Sequence, residues 1–99
     1  MITITAVIRS RKGYEQTMCQ ALLEVAEHVR INEPDTVGFF ISQDADDPCV
    51  FTTYERFTNS DAMDRHNNSD VVARFFGIAK PILDGEVILV TANEVSTKI

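Results

Sequence analysis

Residues 55 to 70, ERFTNSDAMDRHNNSD, hold a carboxylate, a histidine and a run of amides and hydroxyls in one short stretch. An imidazole takes or gives a proton near neutrality, so an inward, partly buried histidine suits general acid or base work. If residues 60 to 67 are helical, Ala62 and Met63 lie four and three positions before His66 and share its face. That turns the ring toward the interior. The plainer account of His66 is a hydrogen-bonded core or helix-end histidine.

Glu55 alternates with Phe51, Thr53 and Phe57 and so shares a strand face with two large apolar rings. A carboxylate there must be paired, hydrogen-bonded or protonated. Arg9 and the neighbouring Arg56 are the expected partners, within the subunit or across a subunit contact. Tyr54 falls on the opposite face, where it can orient a polar substrate or simply pack. Asn67, Asn68 and Tyr54 are the candidates to steady a substrate anion if they reach a pocket. His28 is expected to border solvent.

No spacing among His28, His66, Cys19 and Cys49 matches a zinc or haem motif, so no metal site is expected. The glycines at 13, 38, 77 and 85 are scattered, and no glycine-rich phosphate cradle supports a nucleotide or flavin. Any pocket must work with side chains alone.

The elements that position these residues are legible from periodicity. Ile2, Ile4, Ala6 and Ile8 alternate with Thr3, Thr5 and Val7, which predicts a first strand over 2 to 9. Tyr14, Met18, Leu22, Val25 and Val29 recur at steps of three and four, an amphipathic helix ending near Asn32-Glu33-Pro34. Residues 36 to 43 and 49 to 57 are rich in β-branched and aromatic types and flank a loop of turn formers, which predicts a hairpin.

Thr58 or Asn59 caps a short helix from about Ser60 to the Asn67-Asn68 pair, and Ser69 caps another that Pro81 ends. Val71, Val72, Phe75, Ile78 and Ala79 form its apolar stripe. After the Asp84-Gly85 turn, EVILVTANEV reads as a last strand over 86 to 95.

The order β-α-β-β-α-α-β predicts one α+β domain over 1 to 99, a split β-α-β arrangement with a four-stranded sheet and helices on one face. The last strand and Val37 to Ile41 are apolar on both faces, so the bare sheet face also has reason to leave water. A second subunit, packed sheet against sheet, is the expected cover. The six phenylalanines at 39, 40, 51, 57, 75 and 76 are the candidate walls of an apolar pocket.

Composition narrows the function. The chain has 99 residues, 44% hydrophobic and 24% charged, which suits a single core. A net charge of −6 repels phosphate backbones, so nucleic acid is not an expected partner. No stretch is long and apolar enough for a membrane, and the start puts its hydrophobic residues before its basic ones, the reverse of a signal peptide. The cytoplasm is the expected compartment, and Cys19 and Cys49 are read as reduced, small core residues.

EPDTVGFF, DADDPCVFTTYERF and SDAMDRHNNSDVVARF, in that order and spacing, resemble the antibiotic biosynthesis monooxygenase (ABM) domain family over nearly the whole chain. The family pattern is a Glu-Pro turn into a strand, an Asp-Pro turn into a Tyr-Glu-Arg-aromatic strand, and a helix bearing Ala, His and Ser. The resemblance implies a ferredoxin-like subunit with a four-stranded antiparallel sheet, a dimeric α+β barrel, and a pocket between sheet and helices. It implies a cofactor-independent monooxygenase that oxidises a quinol or polycyclic phenol with molecular oxygen as co-substrate. A base removes the phenolic proton and the electron-rich anion reduces oxygen itself.

By that resemblance His66 matches the family's helix histidine and Glu55 its strand glutamate. Phe57 stands at an aromatic position often held by tryptophan, which keeps an apolar wall and loses an indole donor. Tyr54, Phe57, Asn67 and Phe75 are the expected substrate contacts, His66 the catalytic residue and Glu55 its support. A haem-degrading branch needs asparagine, tryptophan and histidine where this chain has Val7, His66 and Phe76, which disfavours haem. Two alternatives stand beside the oxygenase: an isomerase of a small phosphorylated metabolite, with Arg65, Arg74 and Lys80 the nearby cations, and a non-catalytic dimeric module that binds an aromatic ligand in a stress response.

Overall fold

The computed structural model describes residues 1–98. Strand β1 (Ile2–Arg9) leads through Gly13 into helix α1 (Glu15–Asn32), and strands β2 (Thr36–Gln43) and β3 (Val50–Phe57) follow as a hairpin. Helices α2 (Ser60–Asn67) and α3 (Asp70–Ala79) come next, then a 3₁₀ turn (Lys80–Ile82) and strand β4 (Ile88–Asn93). The strands form one antiparallel sheet in the order β2-β3-β1-β4. The expected ferredoxin-like α+β fold is what forms.

Capping chemistry sets the short helices. Asn59, in extended conformation, accepts the Ala62 amide through its side chain at 2.9 Å, and Ser69 does the same for Val72 at 3.4 Å. Asn59 rather than Thr58 is therefore the cap of α2. Asn68 closes the other end, its side-chain amide donating to the Asp64 carbonyl at 2.9 Å. These two caps confine α2 to two turns and fix the direction in which His66 points.

The main core packs Ala6 and Ile8 of β1 and Phe51 of β3 against Met18, Ala21, Leu22, Val25 and Val29 of α1 and Phe75 and Ala79 of α3. A smaller cluster of Ile4, Phe57 and Ala62 lies beneath α2. Phe57 is fully buried there, which contributes about 1.5–3 kcal/mol. Tyr14, expected in the α1 stripe, precedes the helix and is half exposed, because the apolar stripe begins only at Met18.

β4 starts later than its apolar run suggests. The Asp84 amide donates to the Arg9 carbonyl at 2.8 Å and Gly85 takes φ 86°, so the chain is still turning where a strand was expected. Pairing begins at Ile88 opposite Val7 and ends at Asn93 opposite Ile2. Cys19 and Cys49 are free and only partly buried, Cys19 packing on the core edge and Cys49 lying 3.8 Å from Glu15. Among the described residues no helix is long and apolar enough to cross a membrane.

Candidate active site

Register places the site before any side-chain detail. Glu55 pairs with Phe39 on one side and Ile4 on the other, and Thr53 pairs with Ile41 and Ala6 in the next inward row. A carboxylate and a hydroxyl thus stand in an otherwise apolar sheet face beneath the helices. Thr53 Oγ1 donates to Glu55 Oε2 at 2.8 Å. Both residues are buried.

His66 descends onto this row from the last turn of α2, 4% exposed. Its ring sits between Phe39 and Phe57, with centroid distances of 5.5 and 5.4 Å. Nε2 lies 3.2 Å from Glu55 Oε1, and Nδ1 lies 2.8 Å from Glu33 Oε1. Both ring nitrogens therefore meet carboxylates. Glu55 takes neither expected arginine: Arg9 pairs with Asp47 at 2.9 Å and Arg56 with Glu94 at 2.6 Å, since both point to the other side of the sheet from Glu55.

Glu33 is the residue that periodicity missed. It follows α1 as the helix-ending residue, and Pro34 then carries the chain into β2. Thr36 Oγ1 donates to its Oε1 at 2.8 Å. Its Oε2 is buried without a hydrogen bond, 3.4 Å from Nε2 of the half-buried His28. The signal was present in the sequence as a carboxylate locked by proline at a helix end, but nothing local says which helix it faces.

Burial opposes charge on His66, yet hydrogen bonds to Glu55 and Glu33, together with their negative charges, outweigh it and hold the ring above its ordinary range. The charged form of the ring is thus favoured between the two carboxylates. In that state each ring N–H donates outward, Nε2 to Glu55 and Nδ1 to Glu33. His66 alone has no spare lone pair, so proton chemistry belongs to the Glu55–His66 pair.

The pair opens on a cavity of about 80 Å³ between sheet and helices. Ile4, Ala6, Leu22, Val72 and Phe75 line it, and Thr53, Glu55, His66 and Asn67 are its polar wall. Phe76 and Leu89 border it and are exposed, so it reaches the surface between α3 and β4. Of the expected contacts, Asn67 and Phe75 line the cavity with Glu55 and His66. Phe57 stands behind the imidazole in the core. Tyr54 projects from the opposite sheet face and bonds Glu94 at 3.2 Å, because strand alternation separates it from Glu55.

Phe39, Phe75 and Phe76 are the phenylalanines of the cavity wall. Phe51 and Phe57 fill core, and Phe40 is 58% exposed on the helix-free face. Asn68 caps its helix instead of reaching the cavity. Among the described residues no group of three His, Cys, Asp or Glu side chains is arranged to hold a metal ion.

Residues 1–77 match the model of the antibiotic biosynthesis monooxygenase family. The chain belongs to this family. Solved structures agree on the fold: one named an antibiotic biosynthesis monooxygenase is 19% identical with a TM-score of 0.88, covering 97% of this chain and 100% of its own. A Pseudomonas aeruginosa protein is 21% identical with a TM-score of 0.86, covering 96% of this chain and 94% of its own. One from Mycobacterium tuberculosis is 16% identical with a TM-score of 0.89, covering 97% and 96%. No curated protein matches the sequence.

Proposed function

We propose that this ABM-family chain is a monooxygenase that oxidises a quinol or related phenol with molecular oxygen and without metal or flavin. The observation that carries the reading is one proton-handling pair, Glu55 and His66, at the wall of an otherwise apolar cavity. An apolar pocket binds an aromatic ring by burial, and a single polar spot selects the hydroxyl. The phenolic proton passes to the Glu55–His66 pair, and Asn67, on the same wall, steadies the anion.

The ring carbon of that anion adds oxygen, forming one carbon–oxygen bond. The pair returns its proton to the distal oxygen, the oxygen–oxygen bond breaks, and the same carbon loses its hydrogen as that oxygen leaves as water. One oxygen atom stays on the product. The substrate supplies both electrons, so no further reductant enters.

An engineered apolar cavity of about 150 Å³ takes one benzene ring, and this one measures about 80 Å³. Binding therefore widens it, and the exposed Phe76 and Leu89 are where it gives way. The phosphorylated-metabolite alternative loses support from the same wall, which among the described residues has a carboxylate and neither lysine nor arginine. Arg65 and Arg74 are engaged elsewhere, with Asp35 at 3.0 Å and Glu24 at 2.7 Å.

Assembly as a homodimer, sheet against sheet, belongs to the same proposal. Phe40, Ile88 and Val90 leave more than half their surface in water on the helix-free face, an unfavourable state for a lone subunit.

Oxygen uptake by the purified protein, against a panel of quinols and polycyclic phenols with an enzyme-free control, tests the reading. Uptake well above control, falling about a hundredfold or more in both His66→Ala and Glu55→Gln, is the expected result. Uptake no faster than autoxidation across the panel overturns it.

A further inference from the structure

His66 is a wall between two spaces. On its Nε2 side lies the apolar cavity, and on its Nδ1 side lies a separate surface groove of about 350 Å³ lined by His28, Asn32, Glu33, Asp35, Thr36 and Arg65. The imidazole is 4% exposed, so water on neither side reaches it freely. Glu33 bridges the gap, with one oxygen 2.8 Å from His66 Nδ1 and the other 3.4 Å from His28 Nε2. The His28 side chain is about one-third exposed, at 34%.

We propose that Glu33 and His28 form, with His66, a proton path from the buried cavity to the surface groove. Glu33 is the carrier and His28 the outlet. The inference rests on the oxygenase reading only for what delivers the proton, because the path itself is a property of the resting protein.

The geometry gives each atom a task. The imidazolium, stabilised from both sides, shares its Nε2 proton with Glu55. The Nδ1 proton then leaves to Glu33 Oε1. From Glu33 the proton reaches Nε2 of His28 and then water, with His28 Nδ1 held 3.3 Å from the Asn32 side chain. Every transfer moves one proton between lone pairs, and nothing is oxidised or reduced.

The unpartnered Oε2 of Glu33 argues for traffic over mere support. A carboxylate that only anchored His66 would be expected to have both oxygens satisfied at this depth, since a buried acceptor without a hydrogen bond costs stability. Here the unsatisfied oxygen is the one that faces the half-buried His28 at the groove. The other charged groups at the groove, Asp35 and Arg65, neutralise each other at 3.0 Å. Among the described residues, Glu55 is the only charged side chain on the cavity wall besides the His66 ring.

Glu33 and His28 are positioning residues in this scheme, so the test must read proton movement rather than folding. In ¹⁵N-histidine-labelled protein, the exchange rate of the His66 ring N–H with water is measured by saturation transfer, with no substrate added. His28 reaches His66 through Glu33, so His28→Asn is expected to slow exchange about tenfold or more while the His66 titration stays in place. Added imidazole, small enough for the groove, restores the rate.

Glu33→Gln is expected to slow exchange as well and to lower the His66 titration. Should that variant fail to fold, His28→Asn still decides: an exchange rate equal to that of the unsubstituted protein overturns the path. Slow exchange in His28→Asn beside absent oxygen uptake in the unsubstituted protein keeps the path and sinks only the quinol reading.

Discussion

Adjacent residues of β3 build two ionic centres that differ in almost every respect. Glu55 faces the helices and meets His66 and Thr53 in a nearly dry setting, while Arg56 faces away and grips Glu94 with two hydrogen bonds of 2.6 and 3.1 Å. The outer centre is closed chemistry. Arg56 stays charged at any working pH, and its bidentate grip, with Thr97 and Tyr54 adding donors, holds the Glu94 carboxyl at about 2. The inner centre uses a group that titrates near neutrality and places it beside a cavity. Alternation along one strand thus separates an ion pair suited to holding structure from a pair suited to moving protons.

The largest effect follows from removing the ring that separates Glu33 and Glu55. In His66→Ala two carboxylates lose their shared partner with little water to replace it, and breaking a buried pair costs about 3–5 kcal/mol. Urea denaturation at neutral pH checks this, read from a midpoint shift at constant slope. The double variant Glu55→Gln with His66→Ala is expected to recover part of the loss, since one carboxylate no longer needs compensation. A loss equal in single and double variants would mean that the cost is only the emptied space between Phe39 and Phe57.

A smaller effect distinguishes the centres by pH. His66 is held above its ordinary value, so its contribution is fully present below the unfolded value of about 6.5 and is lost as pH rises through the folded value. Glu94 is held below its ordinary value, chiefly by Arg56, so its contribution is present above the unfolded value of 4.5 and is lost as pH falls toward about 2. The inner centre weakens toward alkaline pH and the outer toward acid. Melting temperature against pH, measured for the unsubstituted protein, His66→Ala and Glu94→Gln, should lose the alkaline slope in the first variant and part of the acid slope in the second.

Sequence reading reached the fold because the fold is made of local signals. The alternation in ITITAVIR, the α1 stripe, the Ser69 cap and the Pro81 stop each speak about their own neighbours. It also turned His66 inward, because Ala62 shares its helix face. The partners of His66 were harder. Glu55 is visible as an inward carboxylate, but a strand pattern names arginines nearby in sequence and cannot see a helix eleven residues on lowering an imidazole onto it. Glu33 read as punctuation before Pro34. Its role depends on how α1 ends relative to α2, a tertiary fact carried by no period. Tyr54 lies on the face its alternation predicts, and that face excludes it from the cavity.

The smallest effect on the subunit itself belongs to the helix-free face. Val90 pairs with Thr5 on β1 and is 53% exposed beside Ile88, so a charge there disturbs little packing within the chain. Val90→Asp is expected to change subunit stability by about 0.5 kcal/mol or less, and to leave the Glu55–His66 pair untouched on the far side of the sheet. If two sheets meet at this face, the buried aspartate pair that results has no partner and the assembly separates. Sedimentation velocity then shows a subunit of half the mass with an unchanged circular dichroism spectrum. Equal masses for both proteins would leave the apolar face without a second subunit. A Val90→Asp monomer that still consumed oxygen would show that the inner centre works without the outer face being covered.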